Sequence, residues 1–189
     1  DIGIHIQRNQ NTNIPEMFRL ALASGRGIGK SALVAWLVLW MLSTRIGSTV
    51  IVTANTEQQL RSRTWAELGK WLTLSINGHW FVKTATTLKP QQWFEELLIR
   101  DLQVDTGYYY AQAQLWSEEN PDAFAGIHSS YGVCLIMDEA SGIPAPIYSV
   151  SEGFFTEPTE NRFWFAFSNP RRNSGPFYDS FHSKRSFWQ

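Results

Sequence analysis

The sequence predicts an α/β fold, with a central, mostly parallel sheet flanked by helices. Three observations carry this. Apolar runs of strand length alternate with longer runs of helix length along the chain. Residues 132–137 (GVCLIM) form a continuous apolar run, as a strand covered on both faces requires. A glycine-rich turn at residues 25–31 separates a short apolar run from a long apolar helix.

The elements follow in order. Residues 16–24 (EMFRLALAS) read as a strand running into the turn. Residues 30–43 are apolar on every side and read as a core helix. Residues 47–53 (GSTVIVT) are rich in β-branched residues and read as a buried strand. Residues 57–74 read as a second helix. At 3.6 residues per turn, Leu60, Trp65, Leu68, Trp71 and Leu72 share one broad side, which would pack on the sheet. Residues 79–84 read as a strand, and residues 90–99 as a helix started by Pro90. The aromatic run 108–115 reads as a strand and 118–126 as a loop. Residues 145–155 read as a helix, 162–167 (RFWFAF) as a strand, and 176–182 as a short helix. Residues 1–15 receive no element, and no repeat or low-complexity tract interrupts the chain.

Composition narrows the function. The chain has 189 residues, 43% hydrophobic and 17% charged, which excludes a mostly disordered polymer. A single cysteine, Cys134, excludes an intrachain disulfide framework and a cysteine-rich zinc site; inside an apolar strand it reads as a buried, inert thiol. The four histidines lack metal-ligand spacing. A net charge of −1 gives no overall field for nucleic acid, so any such contact must be local, with Arg171 and Arg172 as candidates. The tryptophans read mainly as core. The longest apolar stretch, residues 32–42, is too short for the ~20 residues of a membrane-spanning helix. Residue 1 is not methionine, so the chain reads as a piece of something longer, with no signal peptide.

The chemistry concentrates in three segments. In the turn Ser24-Gly25-Arg26-Gly27-Ile28-Gly29-Lys30-Ser31, glycines let consecutive N–H groups curl around anionic oxygens, and the following helix adds its positive end. Lys30 would reach the β- and γ-phosphates of a nucleotide, and the Ser31 hydroxyl would hold Mg²⁺. Ser24 stands where the generic pattern has glycine. Strand 132–137 ends in Asp138-Glu139, at the strand end where open α/β sheets bind ligands. Asp138 is the candidate Mg²⁺ carboxylate, and Glu139 the candidate base for the attacking water. Strand 162–167 ends in Ser168-Asn169-Pro170, whose small polar groups can sense a γ-phosphate. These features predict a nucleotide hydrolase using ATP and Mg²⁺. The rivals are a helicase or remodelling ATPase with the same core, a small-molecule kinase, and a structural module that keeps the fold without turnover.

In this order, SGRGIGKS (24–31), CLIMDEAS (134–141) and FSNP (167–170) resemble the ATPase domain of the large terminase subunit, the DNA-packaging motor of tailed bacteriophages. NPDAFAG (120–126) is similar as well. Ser24 in place of the first glycine, with Arg26 inside the loop, looks like a variant of that family. The resemblance implies a P-loop NTPase fold of the ASCE, RecA-like kind. It implies nucleotide contacts from Ser24, Gly25, Arg26, Gly27, Ile28, Gly29, Lys30, Ser31 and Asp138, with Mg²⁺ on Ser31 and Asp138. Glu139 would be the catalytic carboxylate, and Arg26 would act on the γ-phosphate. Ser168 and Asn169 would couple hydrolysis to DNA movement. Implied partners are double-stranded viral DNA, the portal protein, the small terminase subunit and further copies in a ring, with no membrane. The implied place is the host cytoplasm at the portal vertex of the procapsid. Residues 1–189 would form one ATPase domain, with no room after Gln189 for the family's nuclease half. The adenine-contacting segment usually precedes the phosphate loop, where Gln7 is available. An arginine reaching into a neighbouring subunit is absent from 126–132, which leaves Arg61, Arg63 and Arg100, or Arg26 acting within its own chain.

Overall fold

The computed structural model describes residues 2–12, 15–124 and 126–189. One seven-stranded sheet organises them, in the order β1-β7-β6-β2-β5-β4-β3. Strands β1 (Phe18–Ala23), β7 (Arg162–Ser168), β6 (Val133–Asp138), β2 (Thr49–Thr53) and β5 (Tyr110–Ala113) run parallel. β4 (Thr87–Pro90) and β3 (Phe81–Lys83) add an antiparallel edge. The predicted mostly parallel sheet is therefore present.

Alternation along the central strands feeds two cores. Cys134 and Ile136 of β6, with Phe163, Phe165 and Phe167 of β7, face one layer. There they meet α2 (Lys30–Thr44) and the helical run from α3 (Glu57–Gln59) to α4 (Ala66–Leu74). Val133, Leu135 and Met137, with Trp164 and Ala166, face the other layer and meet α6 (Ala145–Ser151). A strand buried on both sides loses the polar–apolar alternation of a half-exposed strand, so β6 reads as one apolar word. Cys134 is fully buried, and burial raises its thiol pKa far above the usual range, as expected of an inert thiol.

Register places the functional segments together. Ala23 of β1 pairs with Ser168 of β7, Asp138 of β6 with Phe167, and Thr53 of β2 with Met137. The glycine-rich turn, the acidic pair and Ser168-Asn169 therefore leave neighbouring strands at one end of the sheet.

Several expectations need correction. Pro90 does not start a helix: it ends β4, opposite Phe81, and α5 spans Gln92–Leu102. The strand expected over 79–84 is only its second half, the short β3. The loop expected over 118–126 contains a 3-10 turn, Pro121–Phe124, and Ala125 of that segment lies outside the described residues. Residues 2–9, given no element by sequence, form helix α1 (Ile2–Asn9). The helix over 57–74 is helical throughout, but Leu60–Trp65 is a π-helical segment between α3 and α4. Leu60, Trp65 and Leu68 are buried, while Trp71 and Leu72 pack at the margin of the core.

Candidate functional site

The turn after β1 closes into a loop whose glycines take conformations that L side chains avoid. Gly27 has φ +73° and Gly29 φ +89°, and a Cβ on either would meet no atom within 4 Å. Left-handed backbone beside open space is what a cradle for a bulky anion requires. Helix α2 begins at Lys30, with Gly29 as its N-cap and no side-chain cap, so its first N–H groups face that space.

Lys30 Nζ donates to the Gly25 carbonyl at 2.6 Å and to Asn169 Oδ1 at 2.9 Å. The lysine thus ties the loop to the segment after β7. Ser168 Oγ, fully buried, lies 2.7 Å from Ser141 Oγ, which follows the acidic pair. The Ser24 N–H donates to the Ser168 carbonyl at 3.0 Å, extending β1–β7 pairing by one residue.

At the tip of β6, Asp138 is 7% exposed. Its Oδ1 accepts from the Glu139 N–H at 3.0 Å and its Oδ2 from the Thr64 hydroxyl at 2.6 Å. Burial raises the Asp138 pKa and the neighbouring Glu139 charge adds to this, while the two hydrogen bonds and Lys30 oppose it. Glu139 adopts a left-handed backbone, φ 54° and ψ 38°, rare for a residue with a side chain. Its carbonyl accepts from Asn55 Nδ2 at 3.1 Å. Asn55 follows β2 and packs so tightly on Gly142 that a Cβ there would lie 2.1 Å from Nδ2.

A cavity of about 620 Å³ lies between these segments, and Arg26, Lys30, Ser31, Asp138, Glu139 and Asn169 line it. Gly27 and Gly29 also reach its wall. Ser24, Gly25 and Ile28 lie off it: the Ser24 hydroxyl is buried without a partner, Gly25 contributes its carbonyl to Lys30, and the Ile28 side chain is exposed. Ser168 is fully buried behind Asn169. Gln7 and Arg172 lie off the wall, whereas Arg171 is on it.

The sequence reading missed a further wall. Gln59, Arg63 and Glu67, spaced four residues apart, face the same cavity from the α3–α4 run. Arg61 pairs instead with Glu57 at 2.9 Å, and Arg100 with Asp101 at 2.6 Å. The signal in the sequence was that four-residue polar spacing alone, which a solvated helix face shows equally.

The donor set suits Mg²⁺. Ser31 and Asp138 offer hard oxygens, and no cluster of three or more His, Cys, Asp or Glu occurs among the described residues. Mg²⁺ is characteristically held by one or two carboxylates, with phosphate and water oxygens completing the shell.

No family model matches the sequence. The chain is 29% identical over 170 residues to a protein described as "Probable terminase, large subunit" of Enterobacteria phage P7, covering 86% of this chain and 31% of that protein. Among solved structures it is similar to the large terminase of bacteriophage HK97, with TM-score 0.59, 13% identity, and coverage of 98% of this chain and 36% of that one. It is also similar to the large terminase of a thermophilic bacteriophage, with TM-score 0.60, 14% identity, and coverage of 92% and 38%. The same thermophilic phage's large terminase in complex with ADP matches with TM-score 0.53, 14% identity, and coverage of 81% and 33%. The chain spans about a third of the length of each. The resemblance read from the three motifs is thus matched in sequence and in fold: this is a P-loop α/β unit similar to phage large terminases.

Proposed function

We propose that this chain, similar in sequence and fold to bacteriophage large terminases, is the ATP-hydrolysing unit of a DNA-packaging motor. The observation that supports this best is the single cavity shared by Lys30, Ser31, Asp138, Glu139 and Asn169. It unites a phosphate cradle, a buried carboxylate, a second carboxylate and a polar contact to the cradle lysine. The ADP complex of the thermophilic phage's terminase supports a nucleotide as occupant.

In this reading the loop N–H groups and Lys30 bind the β- and γ-phosphates. Ser31 and Asp138 would hold Mg²⁺, which when bound neutralises charge on the phosphate oxygens. Glu139 orients the attacking water and accepts its proton as the γ-phosphoryl group is displaced in line, and Arg26 offsets charge there. Asn169 shares Lys30 with the nucleotide, so contact between loop and β7 changes with phosphate occupancy. That change is the proposed origin of force on double-stranded DNA. The portal protein, the small terminase subunit, a ring of copies and the procapsid's portal vertex in the host cytoplasm complete the proposal.

The test is Mg²⁺-dependent phosphate release from ATP, with and without double-stranded DNA and procapsids. Lys30→Ala should weaken nucleotide binding, and Glu139→Ala should keep binding and lose turnover. Wild-type turnover in the Glu139→Ala chain would overturn the assignment of the base.

A further inference from the structure

We infer that Arg63 is a catalytic arginine acting within its own chain, aimed at the γ-phosphate from the π-helical turn of the α3–α4 run. This rests on the ATPase reading above and adds a residue to it. Four observations carry the inference.

First, Arg63 lines the same cavity as Lys30 and Glu139, within one chain. Second, its position is anchored. The next residue, Thr64, is 2% exposed and donates at 2.6 Å to Asp138. Arg63 is therefore the chain neighbour of a residue bonded to the acidic strand end, and both Arg63 and that end line the cavity. Third, the Arg63 side chain has no ion pair or hydrogen bond among the described residues, unlike Arg61 and Arg100. Glu67, one turn on, is not its partner: that carboxylate takes Trp71 Nε1 at 2.8 Å and Lys70 Nζ at 3.2 Å. Fourth, Leu60–Trp65 is π-helical. Such turns shift the side-chain register of a helix locally and occur frequently at functional sites. Within this one Thr64 bonds Asp138, while Arg63 and the preceding Gln59 line the cavity. The Gln59 Oε1 is buried and without a partner there.

Electrostatics favour an anionic occupant. Lys30, Arg26, Arg63 and Arg171 face Asp138, Glu139 and Glu67 across the cavity, and Glu67 is already engaged. Guanidinium suits the task because its planar fork meets phosphoryl oxygens in pairs. An ordinary solvated arginine would share the exposure but would not distinguish bound species.

The test is affinity for ADP with Mg²⁺ against affinity for ADP–aluminium fluoride with Mg²⁺, which mimics the transferring phosphoryl group. Calorimetry on wild type, Arg63→Ala and Arg63→Lys would be run at a concentration where sedimentation shows monomers. Arg63→Ala should hold ADP affinity within about twofold and lose on the order of 100-fold for ADP–aluminium fluoride. Arg63→Lys should recover only part of that loss, because one ammonium cannot replace the fork. Melting curves would verify that both variants fold. Equal affinities in wild type and Arg63→Ala overturn the inference while leaving the ATPase reading intact. A deficit that appears only where chains assemble also overturns it, placing the arginine in a neighbour's site. A wild-type chain that binds neither species overturns the ATPase reading and this inference together.

Discussion

Lys30 Nζ stands 2.9 Å from Asn169 Oδ1, so the cation of the phosphate loop is shared with the segment that follows β7. A neutral amide holds an ammonium weakly enough for phosphate to recapture it; a carboxylate would not. Asn169→Asp should lower ATP affinity about tenfold or more, since it sets a full negative charge against the Lys30 ammonium and beside the phosphates. Asn169→Ala should leave affinity within a fewfold. Fluorescence titration with a labelled nucleotide measures both, and equal affinities in the two variants would show that the contact is incidental.

Glu139 should separate turnover from stability. Its left-handed backbone costs on the order of 1 kcal/mol, which glycine would not bear. Glu139→Gly should therefore melt higher than wild type, while its turnover falls by at least ~10²-fold for want of a base. Glu139→Gln should lose similar turnover without the gain in stability. Calorimetric melting beside phosphate release reads both effects.

Asp138 predicts a pH dependence. Its pKa is raised by burial, so the fold favours the protonated carboxyl. The sign follows: that preference stabilises the nucleotide-free chain at low pH and is lost as pH rises through the raised pKa. Asp138→Asn should flatten this part of the stability curve and melt higher than wild type at neutral pH. Mg²⁺ requires the ionised carboxylate, so Mg²⁺–nucleotide affinity of the wild-type chain should fall as acid is added. Denaturant melts across pH, compared between the two chains, isolate the Asp138 contribution.

Gly142 sits where any side chain would strike Asn55, and Asn55 holds the Glu139 carbonyl at 3.1 Å. Gly142→Ala and Asn55→Ala should each cut turnover by about tenfold or more by loosening Glu139, since a misplaced catalytic group loses rate steeply. Because both act through one contact, the double variant should be no worse than the poorer single variant. Additive losses would show two separate routes.

The segments legible in the sequence are those whose environment leaves little choice. β6 is buried on both faces, so Val133 to Met137 had to be apolar throughout. The turn around Gly27 and Gly29 needs backbone freedom, and glycine shows that need directly. The sheet edge was harder. β4 is Thr-Leu-Lys-Pro, too short for a pattern, and Pro90 fits the end of a strand as readily as the start of a helix. α1 was unread because only His5 and Asn9 are buried along it. Arg63 and Gln59 lie on a helix face that, without the fold, looks like any solvated one. The π-helical geometry of Leu60–Trp65 leaves no mark in residue type, and the contact made from it, Thr64 to Asp138, joins residues far apart in the chain.

That segment also sets how the chain tolerates length changes. A loop absorbs an inserted or deleted residue locally, whereas a helix turns everything beyond the change by about 100°. Removing one residue between Leu60 and Trp65 would instead relax the wide turn into ordinary helix, because the six residues of the wider winding sweep nearly the same angle as one residue fewer at α-helical winding. Leu68 and its neighbours would keep their place in the core, and the cost would fall locally, on the directions of Arg63 and Thr64. A frame-preserving single-codon deletion scan should therefore find this stretch more tolerant in folding than the ordinary helix beyond it, while turnover is lost.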